Sequence, residues 1–537
     1  KRHAHAKAYI EALPPLKIPQ PVQGDHSSNP IDHFLHAKIN TARARTPKAD
    51  SQFLREVHPL LEEHCFRCHG EKRKGGLRLN SRPAILKGGD SGPALVPGDP
   101  AASELLTRVT SHDKEERMPP KGEPLTVEEH ASLRMWIEQG APWEDPVIAI
   151  TIPGDLEERA FLRRLYLDTV GVFPTPDEVK TWLDCDDPDK GGELIDKLLA
   201  DPRHADHWVS YWQDVLAENP RLVKPTLNNT GPFRFWIHEA LLDNKPFDRF
   251  VTELVTFAGG TYSGGAGGFR LATQNDVPMA AKAHVIGTAF LGLELKCARC
   301  HDAPFHSLRQ EDLFSVAAML KGSALKVPST STVPREFFAK LGARESRIKV
   351  TLDANTPVKP AWPFSELAPT LESDPQFSSS AERLAYQLTR AENRRFARVI
   401  VNRLWKRYFG QGFVEPAGDW ESNEPSHPEL LDYLAREFVS NNYDLRHLSK
   451  SILSSEAYRR LPRTSPAPSS RSRFFEAPLQ RRLSAEQLVD SLFAATGTPF
   501  FAEELTLDIE GWYPNKNFLN MGHPRRAWEL ISLSTER

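Results

Sequence analysis

Two copies of one short motif constrain what this chain of 537 residues can fold into more than any other feature. Both copies read Cys-x-x-Cys-His, and together they use four of the five cysteines: Cys65, Cys68 and His69, then Cys297, Cys300 and His301. Two intervening residues place both thiols on one helical turn. From there they can reach the two vinyl groups of a porphyrin, while the adjacent imidazole binds its iron. The motifs therefore predict two covalently attached c-type haems.

A candidate for the second axial ligand of the first haem lies downstream, in the segment EERMPPKG. Met118 precedes two prolines that stiffen this polar loop, where a methionine has no obvious role in a core. Only five methionines occur in the chain, so we predict Met118 as the sixth ligand, opposite His69. His58, His64 and His112 are the alternative ligands. A zinc site would need two more cysteines or histidines at ligand spacing, and it would leave Met118 unexplained.

Two amphipathic segments flank the first motif and predict a small helical haem domain. DSQFLREVHPLLEEHC leads into the motif, and TVEEHASLRMWIEQG follows Met118. The second of these has the signals of a complete helix, with Thr126 as its N-cap, Glu129 three residues later and Gly140 at its end.

The second motif lies between two apolar segments that predict buried helices, AKAHVIGTAFLGLEL before it and LRQEDLFSVAAML after it. A haem held between two such helices is the interpretation that we favour. Its sixth ligand is less defined, because several side chains qualify. His306 and His284 are the first candidates, and Met279 and Met319 are the sulfur alternatives. The competing hypothesis is a zinc site or a reduced dithiol, formed by the two cysteines with a nearby histidine.

The composition excludes several classes of protein. Hydrophobic residues make up 39% of the chain and charged residues 26%, which is typical of a soluble globular protein. A formal net charge of −3 argues against nucleic acid as the main partner. We find no apolar run long enough for a membrane-spanning segment. The chain opens on Lys1 without a signal peptide, which we interpret as a mature or trimmed chain. The fifth cysteine, Cys185, is flanked by aspartates and is predicted to be a structural thiol.

Apolar spacing along the chain predicts a mainly α-helical fold. We expect a small cytochrome c-like helical domain and larger helical domains, joined by an irregular connector rich in proline and serine. The segment SRIKVTLDA, residues 346–354, is predicted to be a strand. We expect an N-terminal extension at residues 1–50 and the first haem domain at residues 51–145. A helical domain with the second motif follows at residues 146–325, then the connector at residues 326–385 and a C-terminal helical domain at residues 386–537.

Three long stretches of the chain resemble a known family. Residues 51–145, with HPLLEEHCFRCHG and RMPPKG, look like the planctomycete-type cytochrome c domain. Residues 155–325, with ELKCARCHDAPFHSLRQEDLFSVAAML, resemble the cytochrome-associated domain of unknown function that accompanies it. Residues 390–495, with NRRFARVIVNRLWKRYFGQGF, resemble the second such domain, usually found at the end of the same chains.

This resemblance implies a secreted multidomain cytochrome, periplasmic or extracellular. The family often occurs with a co-secreted protein of unknown function and with polysaccharide-degrading machinery. Carried onto this chain, the resemblance implies a first haem with Met118 as its sixth ligand and a second haem downstream. Their attachment residues are Cys65, Cys68 and His69 for the first, and Cys297, Cys300 and His301 for the second.

The chain departs from the family pattern at two places. Many relatives have a histidine two residues after the haem-binding histidine, where this chain has Ala303, and this raises the interest of His306. The segment NPIDHFLHAKI resembles the opening of the middle domain although it precedes the first haem domain. An inserted haem domain would explain that order, and it would bring residues 29–45 beside residues 155–175.

The leading hypothesis for the function is electron transfer by a secreted dihaem c-type cytochrome that works with a redox partner protein. An iron with His and Met ligands has no open position for a substrate, and its reduction potential is raised. A bis-histidine site has a lower reduction potential. Unlike ligation would therefore give the two haems a potential gap.

Two other classes of function remain open from the sequence. The second class is a haem enzyme. It can be peroxidase-like, with an open second haem and either His306 or His284 as the acid–base group, or it can oxidise a sugar. A carbohydrate or metal site for the latter would use four polar residues of the tail: Asp419, Glu421, Glu424 and His427. The interpretation that we favour for this segment, SNEPSHPELL, is a loop followed by a helix start, with its acids serving as caps. The third class is a docking scaffold that uses helices such as RFWIHEALL and RVIVNRLWKRYF.

Overall fold

The computed structural model describes most of the chain: residues 2–21, 27–44, 51–70, 74–90, 92–113, 115–143, 150–216, 231–259, 265–269, 277–304, 306–332, 348–371, 377–421, 423–467, 473–497, 506–507 and 519–520. Helices dominate these residues, which confirms the mainly α-helical fold. Within the same ranges, no helix has the length and the apolar character needed to cross a bilayer.

The elements follow one another along the chain with few strands among them. The first helices are α1 (Arg2–Ala12) and α2 (Pro30–Ala44). Around the first motif lie α3 (His58–His64), α4 (Phe66–His69), α5 (Arg82–Lys87), α6 (Glu104–Thr110) and α7 (Val127–Glu138). Then come α8 (Glu158–Thr169), α9 (Pro176–Leu183), α10 (Lys190–Ala200), α11 (Pro202–Val215), α12 (Gly231–Leu242), α13 (Phe247–Val255), α14 (Pro278–Ile286) and α15 (Gln310–Lys321). The last helices are α16 (Ser380–Thr389), α17 (Arg394–Phe409), α18 (Pro428–Ser440), α19 (Leu445–Leu453), α20 (Glu456–Arg459) and α21 (Ala485–Thr496).

Short strands and tighter or wider helical turns complete the description. Strand β1 (Leu325–Lys326) pairs antiparallel with β2 (Pro357–Val358), and β3 (Thr506–Leu507) pairs antiparallel with β4 (Leu519–Asn520). Turns of π-helix occupy Phe53–Val57 and Gly287–Leu291. Turns of 3₁₀-helix occupy Lys74–Gly76, Ala266–Gly268, Cys297–Arg299 and Ser329–Ser331.

The chain forms two compact units. The large unit comprises Lys1–Leu35, Ile152–Pro466 and Phe475–Arg537, and the small unit comprises His36–Thr151 and Ala467–Phe474. The first motif lies in the small unit and the second motif in the large one. The N-terminal segment therefore groups with residues beyond 152 and not with the segment of the first motif. The domain boundaries that we expect from the sequence remain predictions.

The small unit contains the helix that the sequence predicts after Met118, and this helix is confirmed as α7. The Thr126 hydroxyl accepts a hydrogen bond from the Glu129 backbone N–H at 3.2 Å, and the Glu129 carboxylate accepts one from the Thr126 N–H at 2.7 Å. This reciprocal capping box fixes the start of α7. Gly140, with a φ of 86°, lies just past its end. The helix buries Trp136 in the cluster that holds the first motif.

The large unit holds the two buried helices that the sequence predicts around the second motif. Before the motif, α14 and the following π-turn bury Ala283, Ile286 and Phe290. After it, α15 buries Phe314 and Ala317. The two helices pack against each other, and the second motif lies on the segment that joins them.

The N-terminal segment is fixed to the large unit by Asp32, whose side chain is fully buried. Its carboxylate accepts hydrogen bonds from the backbone N–H groups of Glu456 and Ala457 at 2.9 and 3.1 Å, and from the Ser27 hydroxyl at 2.7 Å. Asn29 donates a further hydrogen bond to the Ser451 carbonyl at 3.0 Å. A side chain more than 400 residues away therefore supplies acceptors for the first N–H groups of α20.

Replacing Asp32 by alanine is expected to lower the free energy of unfolding of the large unit by about 2 kcal/mol, because the buried N–H groups of α20 lose a charged acceptor. Urea denaturation followed by far-UV circular dichroism measures this effect. Asp177→Ala is the matched control, since that carboxylate is exposed in the first turn of α9. An equal effect of both substitutions would contradict the capping role.

One expectation for the connector is wrong. The described part of the predicted strand at residues 346–354 contains no β-structure. Its backbone instead contacts the region of the second motif, because the N–H groups of Thr351 and Leu352 donate to the Gln310 side chain at 2.9 and 3.1 Å, and the Lys349 carbonyl accepts from the Asp302 N–H at 2.8 Å. Side-chain acceptors thus take the place of a neighbouring strand.

Candidate functional site

The first Cys-x-x-Cys-His motif forms one helical turn, as its spacing predicts. Cys65 lies between α3 and α4, and the backbone N–H groups of Cys68 and His69 donate to its carbonyl at 3.1 and 2.9 Å. Its thiol is buried in the hydrophobic cluster of the small unit. Burial, with a smaller contribution from the Cys68 thiol, raises the pKa of Cys65 to about 12. The Cys65 thiol is therefore held protonated, and the Cys68 thiol lies on the same turn.

The surroundings of the His69 imidazole favour its neutral form. Burial lowers its pKa, and a neutral imidazole is the form that binds iron. Its Nδ1 atom is buried, and no acceptor or donor in the described residues makes a hydrogen bond with it. The backbone groups of Lys74 and Leu77 lie near the ring and oppose the pKa shift in part, but neither completes a hydrogen bond of ordinary geometry. Two thiols and such an imidazole on one turn fit a c-type haem.

Met118 packs against the same hydrophobic cluster as the first motif. Its side chain is half-buried against the cluster that also contacts Cys65 and Phe66. Its backbone N–H donates to the Arg108 carbonyl at 2.9 Å, which ties the loop to α6. The structure thus brings the predicted sulfur ligand and the motif to one apolar environment in the small unit.

The alternative histidine ligands of the first motif have other neighbours. His58 packs its ring against Phe53 and Phe66, with ring centres 5.8 and 5.6 Å apart. His64 has its Nε2 atom 3.4 Å from a carboxylate oxygen of Glu129. His112 is exposed. In the described residues, no group of three or more His, Cys, Asp or Glu side chains is placed to hold a metal ion.

The second motif also forms a single turn. The N–H groups of Cys300 and His301 donate to the Cys297 carbonyl at 3.2 and 3.3 Å. His301 has its Nδ1 atom 2.7 Å from the carbonyl oxygen of Asp302. A carbonyl only accepts, so Nδ1 carries the proton and Nε2 keeps the lone pair with which an imidazole binds iron. The donor set of the second motif therefore fits a c-type haem as well.

The loop around His301 is fixed by its neighbour Asp302. The Asp302 carboxylate accepts from the Gln310 backbone N–H at 2.9 Å and from the Thr351 hydroxyl at 2.7 Å. The first of these bonds lies at the start of α15, where N–H groups have no partner within the helix. Ala303 is buried, and its N–H donates to the Leu308 carbonyl.

His306 is engaged by a carboxylate from a distant part of the sequence. Its Nε2 atom lies 3.0 Å from Asp419 Oδ2, and this hydrogen bond is the main cause of its raised pKa. The next residue, Ser307, donates its backbone N–H to Glu421 Oε1 at 2.6 Å. The Nε2 atom of His306 is thus already engaged by Asp419.

The other sixth-ligand candidates of the second motif lie in α14 and α15. His284 has the Thr288 hydroxyl 3.3 Å and a Glu294 carboxylate oxygen 3.7 Å from its Nδ1 atom. Met279 is half-buried against the core of the large unit, and Met319 is fully enclosed in it. The sixth ligand of the second motif stays a prediction.

A loop of the tail, residues 417–421, contacts the chain just before and just after the second motif, and we term it the clamp loop. Besides Asp419 and Glu421, it contributes Trp420, whose N–H donates to the Gly292 carbonyl at 2.8 Å. Gly292 has a φ of 63°, and a Cβ atom there would lie 2.3 Å from the Trp420 ring, so only glycine permits this approach. Arg403 of α17 adds two hydrogen bonds, at 2.7 and 2.9 Å, to the carbonyls of Thr288 and Ala289.

Sequence reasoning missed this role of the tail. It proposed a carbohydrate or metal site from Asp419, Glu421, Glu424 and His427. The structure directs Asp419 and Glu421 to the second motif instead, and it buries His427 beside Phe413 and Phe475. Residues 428 onwards begin α18, as the helix-start interpretation of the same segment predicts.

The Asp419–His306 pair predicts a pH-dependent contribution to stability. The pKa of His306 is raised above its unfolded value of about 6.5, so the pair stabilises the fold below that pH, and the contribution is lost as the pH rises through the folded pKa. Asp419→Asn keeps an acceptor but removes the charge. We expect it to lower the free energy of unfolding by about 1 kcal/mol at pH 6 and by much less at pH 9.

Chemical denaturation of both proteins at the two pH values measures this difference. The exposed pair of Lys450 and Asp196, 2.7 Å apart, supplies the control, because it is an ion pair without a histidine. Asp196→Asn should therefore give the same small effect at both pH values. A pH-independent loss for Asp419→Asn would show that His306 is not charged in the folded protein.

Three family models match the chain in consecutive order. The model described as planctomycete cytochrome C matches residues 65–122, which include the first motif and Met118. The model described as a protein of unknown function, DUF1549, matches residues 148–324, which include the second motif. The model described as a protein of unknown function, DUF1553, matches residues 381–504, which include Arg403 and the clamp loop. Neither a curated protein nor a solved structure matches the chain.

Proposed function

Because the chain belongs to the planctomycete-type multidomain cytochromes c, whose three domains it carries in order, we propose that it is a dihaem electron-transfer protein. The cytochrome c domain implies a covalently bound c-type haem. The observation that carries the proposal is that both motifs adopt the same single turn, each offering two thiols and one imidazole suited to iron.

Cys65 and Cys68 would attach the first haem, with His69 and Met118 as axial ligands. A haem c supplies reversible one-electron chemistry at its iron. The residues of the small unit provide its surroundings. The hydrophobic cluster around Cys65 keeps water from the site, and the Arg108 carbonyl holds the Met118 loop. An iron with both axial positions filled has no place for a substrate, which favours electron transfer over catalysis.

Cys297, Cys300 and His301 would hold the second haem. The Asp302 carbonyl orients the His301 ring, and Asp419 keeps Nε2 of His306 in a hydrogen bond. We therefore propose that His306 does not bind this iron. His284 remains a candidate for the sixth position. Without a sulfur ligand, the second haem would have the lower potential, so electrons would pass from it towards the first haem or its partner.

A second candidate function is favoured by the same His306–Asp419 pair. A histidine tied to a carboxylate beside a haem is arranged as an acid–base group rather than as a ligand. With an open sixth position, the second haem would then support a peroxidase-like reaction. A high-spin ferric spectrum that changes on addition of peroxide distinguishes this function from the closed electron-transfer site.

The partners and the compartment follow from the family. We propose export to the periplasm or the cell exterior, where a redox partner protein, such as a co-secreted protein of the same system, exchanges electrons with the chain. The link of such systems to polysaccharide breakdown would make the oxidation of a sugar the ultimate source of the electrons. A sugar-oxidising activity or a scaffold role of this chain itself has no specific support among the described contacts.

The haem content of the exported full-length protein tests the proposal. The chain is produced in a host with c-type haem attachment machinery, and haem is counted as the pyridine haemochrome per mole of polypeptide. Two haems per chain are expected. One haem per chain would contradict the dihaem relay, and a colourless chain with intact cysteines would instead support the scaffold.

A further inference from the structure

The large unit contains a cleft separate from both motifs, and we term it the indole cavity. It lies between α11, α12, α13, α17 and α19 and encloses about 430 Å³ of empty space, including its open mouth. The cleft is narrow, so a water-sized occupant fits in only a small part of it. Its walls are mainly apolar and aromatic, formed by Trp208, Trp212, Phe247 and Phe250.

Three buried N–H donors belong to residues that line this cavity. They are Nε1 of Trp208, Nε1 of Trp212 and Nε of Arg446, and no acceptor in the described part of the chain makes a hydrogen bond with any of them. Trp208 is 3% exposed and Trp212 is 0% exposed, so bulk water does not reach the two indole groups freely, whereas Arg446 is only half-buried. Buried donors are nearly always satisfied in folded proteins, and an indole N–H can only donate. A bound group that accepts hydrogen bonds would therefore satisfy these donors.

The charged side chains that line the cavity are basic, and their acidic neighbours lie outside the lining: Glu253 beside Lys245, and Asp444 and Asp243 near Arg446. Among the described residues that line it there is no aspartate or glutamate, whereas Lys245 and Arg446 are both present. Lys245 pairs with Glu253 at 2.6 Å, and the terminal nitrogen of Arg446 donates to the carbonyls of Leu241 and Leu242 at 3.2 and 2.8 Å. The Nε group of Arg446 remains a charged donor without an acceptor of its own.

A histidine of the lining stays neutral and does not compensate this charge. His204 donates through Nδ1 to the Thr169 carbonyl at 2.9 Å, and burial lowers its pKa to about 4. Ser449 accepts a hydrogen bond from the Tyr408 hydroxyl at 2.9 Å and carries no charge. Neither side chain brings a negative charge to the cavity.

We propose that the indole cavity binds one small monovalent anion of halide size, held by the N–H groups of Trp208, Trp212 and Arg446. Trp208 and Trp212 lie four residues apart on α11 and so share a face of the helix. An anion can accept from all three donors, whereas a water molecule has two lone pairs and needs acceptors for its own two protons. Aromatic walls also suit a polarisable, weakly hydrated ion more than a strongly hydrated one.

Bromide is the probe that tests this site in the full-length holoprotein. Crystals soaked at millimolar bromide should show one anomalous peak in the indole cavity. In solution, the unfolding midpoint should rise with bromide and saturate, compared with sodium gluconate at equal ionic strength. Trp212→Phe removes one donor and keeps an aromatic ring, and Arg446→Gln removes the charged donor. Each is expected to weaken bromide binding about tenfold, the equivalent of one hydrogen bond.

Trp182→Phe is the matched control, because Trp182 also has a buried Nε1 without a described acceptor but does not line the cavity. It should leave bromide binding unchanged. The proposal is overturned by an ordered water in place of bromide, by a peak that appears only at molar bromide, or by equal affinities of wild type, Trp212→Phe and Arg446→Gln. The wild-type crystal decides the matter even where a variant does not fold.

Discussion

Replacing Cys297 and Cys300 together by serine is expected to lower the haem content from two to one per chain. Serine cannot form the thioether bonds, so the second motif loses its covalent hold while the first motif, in the other compact unit, keeps its own. Replacing Cys65 and Cys68 together by serine should also leave one haem, which will have the spectrum of the second motif's site. Pyridine haemochrome counting and mass spectrometry of the intact chain measure both variants.

Cys185→Ser is the matched control for these variants. Cys185 is the one cysteine outside the motifs, and its loss should leave two haems. If the double variant at the second motif still carries as many haems as the wild type, that motif does not attach haem. The hypothesis of a zinc site or a reduced dithiol would then apply to it.

Met118→Ala is expected to lower the reduction potential of one haem by about 0.2 V, a fraction of the ~0.8 V range that axial ligands span. A thioether ligand favours the reduced iron, so its loss favours the ferric state. The variant should also lose the near-infrared band of sulfur-to-iron charge transfer and gain a high-spin or water-ligated spectrum. Potentiometric titration followed in the visible region measures the shift.

Met135→Ala is the corresponding control. Met135 is 45% exposed on α7 of the same unit, so its removal should alter neither the potential nor the charge-transfer band. An unchanged potential in Met118→Ala would assign the sixth position of the first haem to another side chain. His58 and His64 would then be the residues to substitute next.

The sequence predicted the features of this fold that depend on neighbouring residues. The turn of each motif follows from the spacing of its two cysteines and its histidine. The start of α7 follows from Thr126 and Glu129, and the buried helices around the second motif follow from runs of apolar residues. Such features are decided within a few residues, so local spacing contains the information needed to predict them.

The surroundings of the second motif were not predictable in this way. His306 and Asp419 are 113 residues apart, and Ser307 and Glu421 are 114 apart. Their pairing depends on how α17 and the clamp loop pack against the π-turn Gly287–Leu291 and Gly292, and spacing along the chain does not encode that packing. The same limit explains why acidic residues of the clamp loop were interpreted as a separate site. Gly292 was the available signal, since a glycine between two leucines marks a close approach or a positive φ.

The strand predicted at residues 346–354 shows a related limit. Its alternating apolar residues fit a half-buried strand, but a strand also needs a neighbour to satisfy its backbone. The Gln310 side chain satisfies two of these N–H groups. Residues 348–354 therefore follow the surface beside the second motif without forming a ladder.

The clamp loop connects the two domains of unknown function through the second motif. Its carboxylates and Arg403 contact the motif loop and the helix before it, and all of them lie in the match to DUF1553, whereas the motif lies in the match to DUF1549. The two matched segments therefore contact each other beside the second motif. Residues of one domain set the surroundings of the other domain's candidate haem.

A spectroscopically monitored redox titration of the full-length protein tests the central claim most directly. The dihaem relay predicts two one-electron transitions at separate potentials, of which Met118→Ala lowers the higher one. A single one-electron transition would contradict the relay. So would a second haem that is high-spin in the ferric state and reacts with peroxide, because its iron would then be open for catalysis.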